Sequence, residues 1–66
     1  IKAEDFKLVG DLFAVGVKSY EGDWLIGDQV VIEQNEEITA VGIAKMNPEE
    51  MVSMSRGLAV EVRHHA

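Results

Sequence analysis

Short apolar runs separated by glycines and polar residues extend along most of the chain, a pattern that predicts β-strands. Four such runs stand out, at residues 12–17, 29–33, 38–46 and 58–62. In the last run, Leu58, Val60 and Val62 alternate with Ala59 and Glu61, so we expect the first three on one buried face. The first six residues form a weaker strand candidate.

Two polar segments between these runs predict tight turns. Gly27 and Asp28 precede the second run, and glycine tolerates the positive φ that a tight turn requires. Residues 34–37 (QNEE) connect the second run to the third, and Asn35 is the residue there best suited to the left-handed region. The second and third runs are therefore predicted to pair as an antiparallel hairpin.

One segment carries the signals of a helix start. Asn47 can accept a hydrogen bond from a free backbone N–H as an N-cap, and Pro48 suits the first helical position. Glu50, three residues after the cap, completes a capping-box pattern. A short helix is predicted from Pro48 to Ser55 or Arg56.

The end and the packing of this helix follow from its composition. Gly57 can supply the left-handed residue that ends the helix, and Arg56 would lie near the negative end of its dipole. Met51 and Met54 form an apolar stripe at three-residue spacing. We expect the stripe to pack in the core rather than to bind a ligand, because a helix this short is unstable without packing.

The predicted fold is mainly β with one short helix, arranged as a small barrel of mixed, mostly antiparallel strands. A length of 66 residues allows a single domain over 1–66. The chain does not begin with methionine, so we interpret it as a fragment or the C-terminal domain of a longer protein. No apolar stretch is long enough for a membrane helix, and the absence of cysteine is typical of a reducing compartment, so we expect a cytoplasmic location.

The charge is unevenly distributed along the chain. Twelve acidic residues against six basic ones give a formal net charge of −6, whereas a general nucleic-acid binder is expected to be basic. Residues 1–37 hold nine acids and three bases, and residues 38–66 hold three of each. Any contact with phosphate must therefore use a local patch, for which the C-terminal part is the better candidate.

The sequence resembles a PUA domain, the RNA-binding pseudobarrel found in pseudouridine synthases and archaeosine transglycosylases. The matching stretches are residues 10–17, 27–31, 40–44, 46–51 and 56–64. Their order and spacing cover nearly the whole chain. Within the family, the chain is most similar to the archaeal tRNA-modification branch, which comprises archaeosine transglycosylase and the related archaeosine synthase.

The resemblance implies a PUA-like pseudobarrel that binds RNA, with tRNA the expected ligand, and that requires no cofactor. It also implies that catalysis belongs to another domain or to a partner subunit, so that this domain positions tRNA and is not itself an enzyme. Two features depart from the family pattern. Only nine residues precede Gly10, where relatives have a fuller strand and helix, and Val15 stands where relatives often have proline.

The resemblance also nominates candidate RNA contacts. Gly10 matches the family glycine at a turn, where the absence of a side chain lets phosphate or ribose approach the backbone. Lys7 lies just upstream and can pair with the same phosphate. Arg63 and His64 fall at the end of the last strand, beside the RNA groove of the family, although the parity of His64 also allows a partly packed histidine. Arg56 is a further candidate, with a role at the helix dipole as its alternative.

Catalytic and metal sites are poorly supported by the sequence. His64 and His65 are adjacent, so in a strand they point to opposite faces and cannot readily share a metal ion. Asp11 and Asp23 are interpreted as scattered surface carboxylates rather than an acid pair. Trp24 lies between polar segments and is predicted to cover the end of the barrel, with stacking on a base as the alternative.

A protein-interaction module is the main alternative function. In that case the acidic surface would repel RNA, and an exposed strand edge or the methionine-bearing helix would dock another subunit in an RNA-processing or translation complex. A small free-standing enzyme fits the sequence least well, because no nucleophile lies in a recognisable motif and the glycines do not follow a phosphate-loop spacing.

Overall fold

The computed structural model describes all residues, 1–66, and contains one six-stranded sheet. The strands are β1 (Lys2–Ala3), β2 (Leu12–Phe13), β3 (Val17–Ser19), β4 (Gln29–Gln34), β5 (Glu37–Ala44) and β6 (Leu58–His65), with a 3-10 turn at Ala14–Gly16 and a helix, α1, at Pro48–Ser53. The sheet order is β2-β6-β5-β4-β1-β3, and only the β1–β4 pair is parallel. The predicted fold class, mainly β and mostly antiparallel with one short helix, is confirmed.

The chain itself joins the two ends of this sheet. The 3-10 turn connects β2, at one end of the order, directly to β3, at the other. The Ala14 N–H donates to the Gly57 carbonyl at 2.8 Å, and the Glu4 N–H donates to the Gly16 carbonyl at 2.9 Å. The turn is therefore bonded to both sides of the sheet, which closes into a pseudobarrel.

The apolar run at 12–17 is not one strand, and that prediction is wrong. Its first two residues pair with β6, and its last residue begins β3, which pairs with β1 on the opposite side of the barrel. The chain has to turn between those partners, and a short 3-10 segment makes the turn. A side chain at Gly16 would lie 3.1 Å from the Phe6 ring, so the turn is packed tightly there.

The hairpin between β4 and β5 forms as predicted. Asn35 adopts the left-handed region with φ 52°, and Glu36 also has a positive φ, 65°. Two consecutive positive φ values are typical of the type I′ turn, whose twist matches that of the flanking strands. β5 ends at Ala44, two residues earlier than expected, because the chain leaves the ladder and Met46 turns into the core.

The helix begins as predicted but ends earlier. The Glu50 N–H donates to Asn47 Oδ1 at 2.8 Å, and the Asn47 N–H donates to Glu50 Oε1 at 3.0 Å, which completes the capping box. The helix ends at Ser53, and Met54 is already extended. Gly57, with φ 104°, therefore shapes the entry into β6 and does not end the helix. At six residues, α1 is far too short to span a lipid bilayer.

The early end of α1 changes two predictions about its residues. Met51 is 1% exposed and belongs to the core as expected, but Met54 is 45% exposed and lies outside it. Arg56 lies three residues beyond the last helical residue, so the predicted interaction with the helix dipole is wrong. Both errors share one cause, since the chain straightens at Met54 to enter β6.

The buried apolar residues form a single cluster inside the barrel, and its largest fully buried members are Leu12, Ile32, Met51 and Val60. Trp24 closes one end of this cluster. Its indole N–H donates to the Met46 carbonyl at 2.8 Å, and its ring meets Tyr20 edge-on with centroids 5.5 Å apart. The prediction that Trp24 covers the barrel end is confirmed, and its buried ring presents no stacking surface to a base.

Candidate nucleic-acid interface

The pseudobarrel has two ends, which differ in the elements that reach them. One, the hairpin end, carries the Asn35-Glu36 turn and the last residues of β6, because His65 pairs with Ala40 near the start of β5. The other, the helix end, carries Trp24, α1 and the start of β6. The candidate residues can be located by the end at which each one lies.

Gly10 lies beside β6 towards the hairpin end. Asp11 Oδ1 accepts a hydrogen bond from the Val62 N–H at 2.9 Å, which ties the segment before β2 to the end of β6. Gly10 has φ 76°, and no atom lies within 4 Å of the position that a Cβ would occupy. The backbone at Gly10 is therefore open to an approaching group, and it lies near Arg63, the neighbour of Val62.

A β-bulge shapes the end of β6. Val41 pairs with His64 and Gly42 pairs with Val62, which leaves Arg63 as the extra residue on its strand. The bulge shifts the alternation of side chains, so the predicted parity of His64 with Val62 fails. Both Arg63 and His64 are exposed, and the alternative of a packed histidine is wrong.

The segment that carries Lys7 is held at the hairpin end by a buried glutamine. Gln34 Nε2 donates to the Glu4 carbonyl at 2.9 Å and to the Phe6 carbonyl at 2.8 Å, and Gln34 Oε1 accepts from Thr39 Oγ1 at 2.9 Å. Lys7 directly follows this anchored segment, and its side chain is exposed and forms no salt bridge. Lys7 therefore lies at the same end as Gly10.

Arg56 lies at the other end of the molecule. It precedes Gly57, the residue before β6, whose carbonyl accepts a hydrogen bond from the Ala14 N–H of the 3-10 turn. At about 3.3 Å per strand residue, the five steps from Leu58 to Arg63 span about 17 Å, and Arg56 lies two residues before Leu58. The structure thus brings four of the five candidates towards the hairpin end and leaves Arg56 apart from them.

The outer face of β5 and β6 carries a cluster of charges that the sequence analysis missed in part. Arg63 NH1 lies 3.0 Å from Glu61 Oε1, and Lys45 Nζ lies 3.6 Å from Glu61 Oε2. We call Lys45, Glu61, Arg63 and His64 the β6 strip. Lys45 is two residues after Ile43, the partner of Glu61, so Lys45 shares the outer face with Ile43. This two-residue spacing is the one signal in the sequence that could have predicted its position.

A different surface lies on the far side of the hairpin end. An open groove of about 610 Å³, the β1 groove, is lined by Lys2, Ala3, Glu4, Asp5, Lys18, Ser19, Glu33, Asn35 and Glu36. Four carboxylates outnumber two lysines in this lining, and Lys2 also pairs with Glu21 at 3.4 Å. The β1 groove is therefore unfavourable for phosphate.

No group of three or more histidine, cysteine, aspartate or glutamate residues in the structure is placed to hold a metal ion.

Comparison with known proteins decides the family. Residues 2–66 match the family model of the PUA domain. The chain belongs to the PUA domain family. This PUA domain is 44% identical over 59 residues to archaeosine synthase subunit alpha of Thermococcus kodakarensis, a match that covers 89% of the chain and 10% of the relative. It is 36% identical over 63 residues to archaeosine synthase subunit alpha of Thermoplasma acidophilum, covering 96% of the chain and 12% of the relative.

A solved structure agrees with this assignment. The PUA domain superposes on NSun6 from Pyrococcus horikoshii with a TM-score of 0.85 and 33% identity, covering 92% of the chain and 17% of NSun6. The chain spans about a tenth of the length of the two archaeosine synthase subunits. The resemblance stated from the sequence is confirmed, and the PUA domain is an RNA-binding fold. The individual RNA contacts stay predictions.

Proposed function

We propose that this PUA domain grips tRNA for an archaeosine-type tRNA-modifying protein, in which another domain or subunit performs the chemistry. One observation supports the proposal: in this RNA-binding fold, the exposed residues Gly10, Arg63 and His64 lie near one another towards the hairpin end. The two similar archaeosine synthase subunits are about ten times longer, which leaves room in such proteins for a separate catalytic body. A cytoplasmic location belongs to the same proposal.

The proposed contact uses phosphate and shape rather than base edges. The open backbone at Gly10 admits a phosphate or a ribose, and the guanidinium of Arg63 can bind a phosphate through two parallel hydrogen bonds. His64 and Lys7 add donors on either side. Because the net charge is −6, this local set of cations has to act at short range, and the remaining carboxylates orient the RNA away from the β1 groove.

Charge reversal at Arg63 tests the proposal. We expect Arg63→Glu to weaken tRNA binding about tenfold at low salt, which corresponds to about 1.4 kcal/mol. The loss should shrink as salt rises, because screening weakens both the lost attraction and the new repulsion. Filter-binding titrations at two salt concentrations measure both effects.

Arg56→Glu is the matched control, since it makes the same charge change at the helix end. We expect it to cost less than half as much binding free energy as Arg63→Glu. An equal loss for the two variants would mean that RNA responds only to total charge, and an unchanged affinity for Arg63→Glu would reject the role of Arg63.

A protein-interaction role is the second candidate, and one observation favours it. Leu25 and Ile26 are 74% and 58% exposed on a turn that is braced by a hydrogen bond from the Leu25 N–H to Asp28 Oδ2 at 2.9 Å. The strand edges first considered for docking are only two and three residues long. Apolar docking at this turn would persist at high salt, whereas RNA binding would weaken, so the same salt series separates the two functions.

A further inference from the structure

We propose that Lys45 and Arg63 form a phosphate-binding pair, and that the Glu61 carboxylate occupies the place of an RNA phosphate between them. The pair lies on the outer face of β5 and β6. The inference rests on the proposed function and deepens it, because it adds Lys45 to the RNA contacts and gives Glu61 a competing role.

The geometry of Glu61 is that of a bridging anion. Its two carboxylate oxygens face different cations, Oε1 at 3.0 Å from Arg63 NH1 and Oε2 at 3.6 Å from Lys45 Nζ. An RNA phosphate also presents two unesterified anionic oxygens on one central atom. A phosphate placed where the carboxylate lies can therefore satisfy the same two cations, with the guanidinium as the more directional donor.

All three side chains are reachable by a ligand. The exposed fractions of the side chains are 40% for Lys45, 38% for Glu61 and 63% for Arg63. Ion pairs that are exposed to this degree contribute little to stability, so an incoming phosphate can displace the carboxylate at little cost.

The backbone under the cluster is well ordered by hydrogen bonds. Glu61 pairs with Ile43 in the long β5–β6 ladder, and the Lys45 N–H donates to the Ala59 carbonyl at 2.8 Å. The backbone positions of Lys45 and Arg63 are thus fixed relative to each other. Arg63 follows Val62, which is bonded to Asp11, so the cation pair is continuous with the edge that carries Gly10.

Removal of the Glu61 charge tests the inference. Glu61→Gln should raise tRNA affinity about three- to tenfold at low salt, and the slope of log affinity against log salt should steepen by about one, since one further phosphate is neutralised. Lys45→Gln should lower the affinity about threefold. Thermal denaturation of each variant confirms that it is folded before its binding is compared.

Glu33→Gln is the matched control, because it removes the same charge from a glutamate in the β1 groove. We expect this control to change the affinity by less than about twofold. If Glu61→Gln and Glu33→Gln raise the tRNA affinity by the same factor, net charge alone is responsible and the inference is overturned. It is also overturned if the unmodified chain binds tRNA and Glu61→Gln gives no gain.

A chain that binds no tRNA in any form would contradict the proposed function, and a separate readout then decides the phosphate site. In an NMR titration with inorganic phosphate, the side-chain signals of Lys45 and Arg63 should move together in Glu61→Gln and much less in the unmodified chain. Signals that stay unmoved in Glu61→Gln would overturn the phosphate pair.

Discussion

The β6 strip and the β1 groove lie on different faces of the pseudobarrel, and they differ in charge. The strip holds a single carboxylate, Glu61, which pairs with Lys45 and Arg63, whereas the groove has four carboxylates and two lysines. A domain with a formal net charge of −6 thus keeps much of its acidity away from one face. The comparison shows that, in a domain this small, the position of charges decides which ligands are accepted more than their sum does.

The difference in charge between the strip and the groove follows from the uneven distribution of acidic residues along the chain. Residues 1–37 hold nine of the twelve acids and form β1 to β4. Of these strands, β1, β3 and β4 line the groove together with the Asn35-Glu36 turn. Residues 38–66 are formally neutral and form most of β5 and all of β6. Because β5 and β6 are neighbours in the sheet, the neutral part of the chain becomes a continuous face.

The strip and the groove also differ in the length of the strands that support them. The strip lies on β6 and just past the end of β5, two strands of eight residues each that are joined by a long antiparallel ladder with one bulge. The groove is bordered by β1 and β3, which have two and three residues, and by the hydrogen bonds of Gln34 to the carbonyls of Glu4 and Phe6. Changes to the backbone of the strip should therefore cost more stability than changes in the groove.

The largest expected effect is at Gly42, under the strip. A Cβ at this position would overlap the Glu61 carbonyl and lie 2.9 Å from Val60 Cγ1. Backbone atoms of a paired strand cannot yield locally, so Gly42→Ala should lower the free energy of unfolding by about 3 kcal/mol. Urea denaturation measures the loss.

Gly10→Ala is the control for that prediction. The new Cβ meets no atom within 4 Å, so the cost is limited to the strain of a positive φ, about 1–2 kcal/mol. If the two substitutions destabilise the protein equally, close packing between β5 and β6 is not what requires glycine at position 42.

A smaller effect is expected where the strip meets the segment before β2. Asp11→Ala removes the acceptor of the Val62 N–H and should lower the free energy of unfolding by about 1–2 kcal/mol. Amide hydrogen exchange at Val62 should become faster. Asp5→Ala, at an exposed carboxylate of the groove, should change stability by less than about 0.5 kcal/mol. An unchanged exchange rate of the Val62 amide in Asp11→Ala would contradict the role of the Asp11 hydrogen bond in holding the segment of Gly10 against β6.

The smallest effect on tRNA affinity is expected in the β1 groove. Lys18 lines the acidic groove, so Lys18→Glu should change tRNA affinity by less than about twofold. The same reversal at Arg63 is expected to cost about tenfold. Equal losses at Lys18 and Arg63 in one binding titration would show that RNA does not distinguish the groove from the strip.

Local features of the fold were predictable because the groups that form them are close in sequence. The capping box of Asn47 and Glu50 spans four residues, and the left-handed Asn35 depends only on its own turn. Features that depend on a distant partner were not. The run at 12–17 divides because its two ends pair with strands on opposite sides of the barrel, and the bulge at Arg63 depends on its register with β5.

The candidate site shows the same limit. Lys7, Gly10, Arg63 and His64 were nominated through the family resemblance, and the structure places all four towards one end. Arg56 was predicted with them, but it lies before the start of β6, at the helix end. Lys45 was missed because its proximity to Arg63 arises only when β5 and β6 pair.

Short-range features of the sequence are enough to specify which elements form and where most of them begin, because turns, caps and apolar alternation depend on a few neighbouring residues. The sequence also specifies the family and the uneven division of acids along the chain. Which charges become neighbours depends on the folded arrangement of the strands. Strand order and register bring together residues that are far apart in sequence, and a single bulge is enough to turn His64 outward.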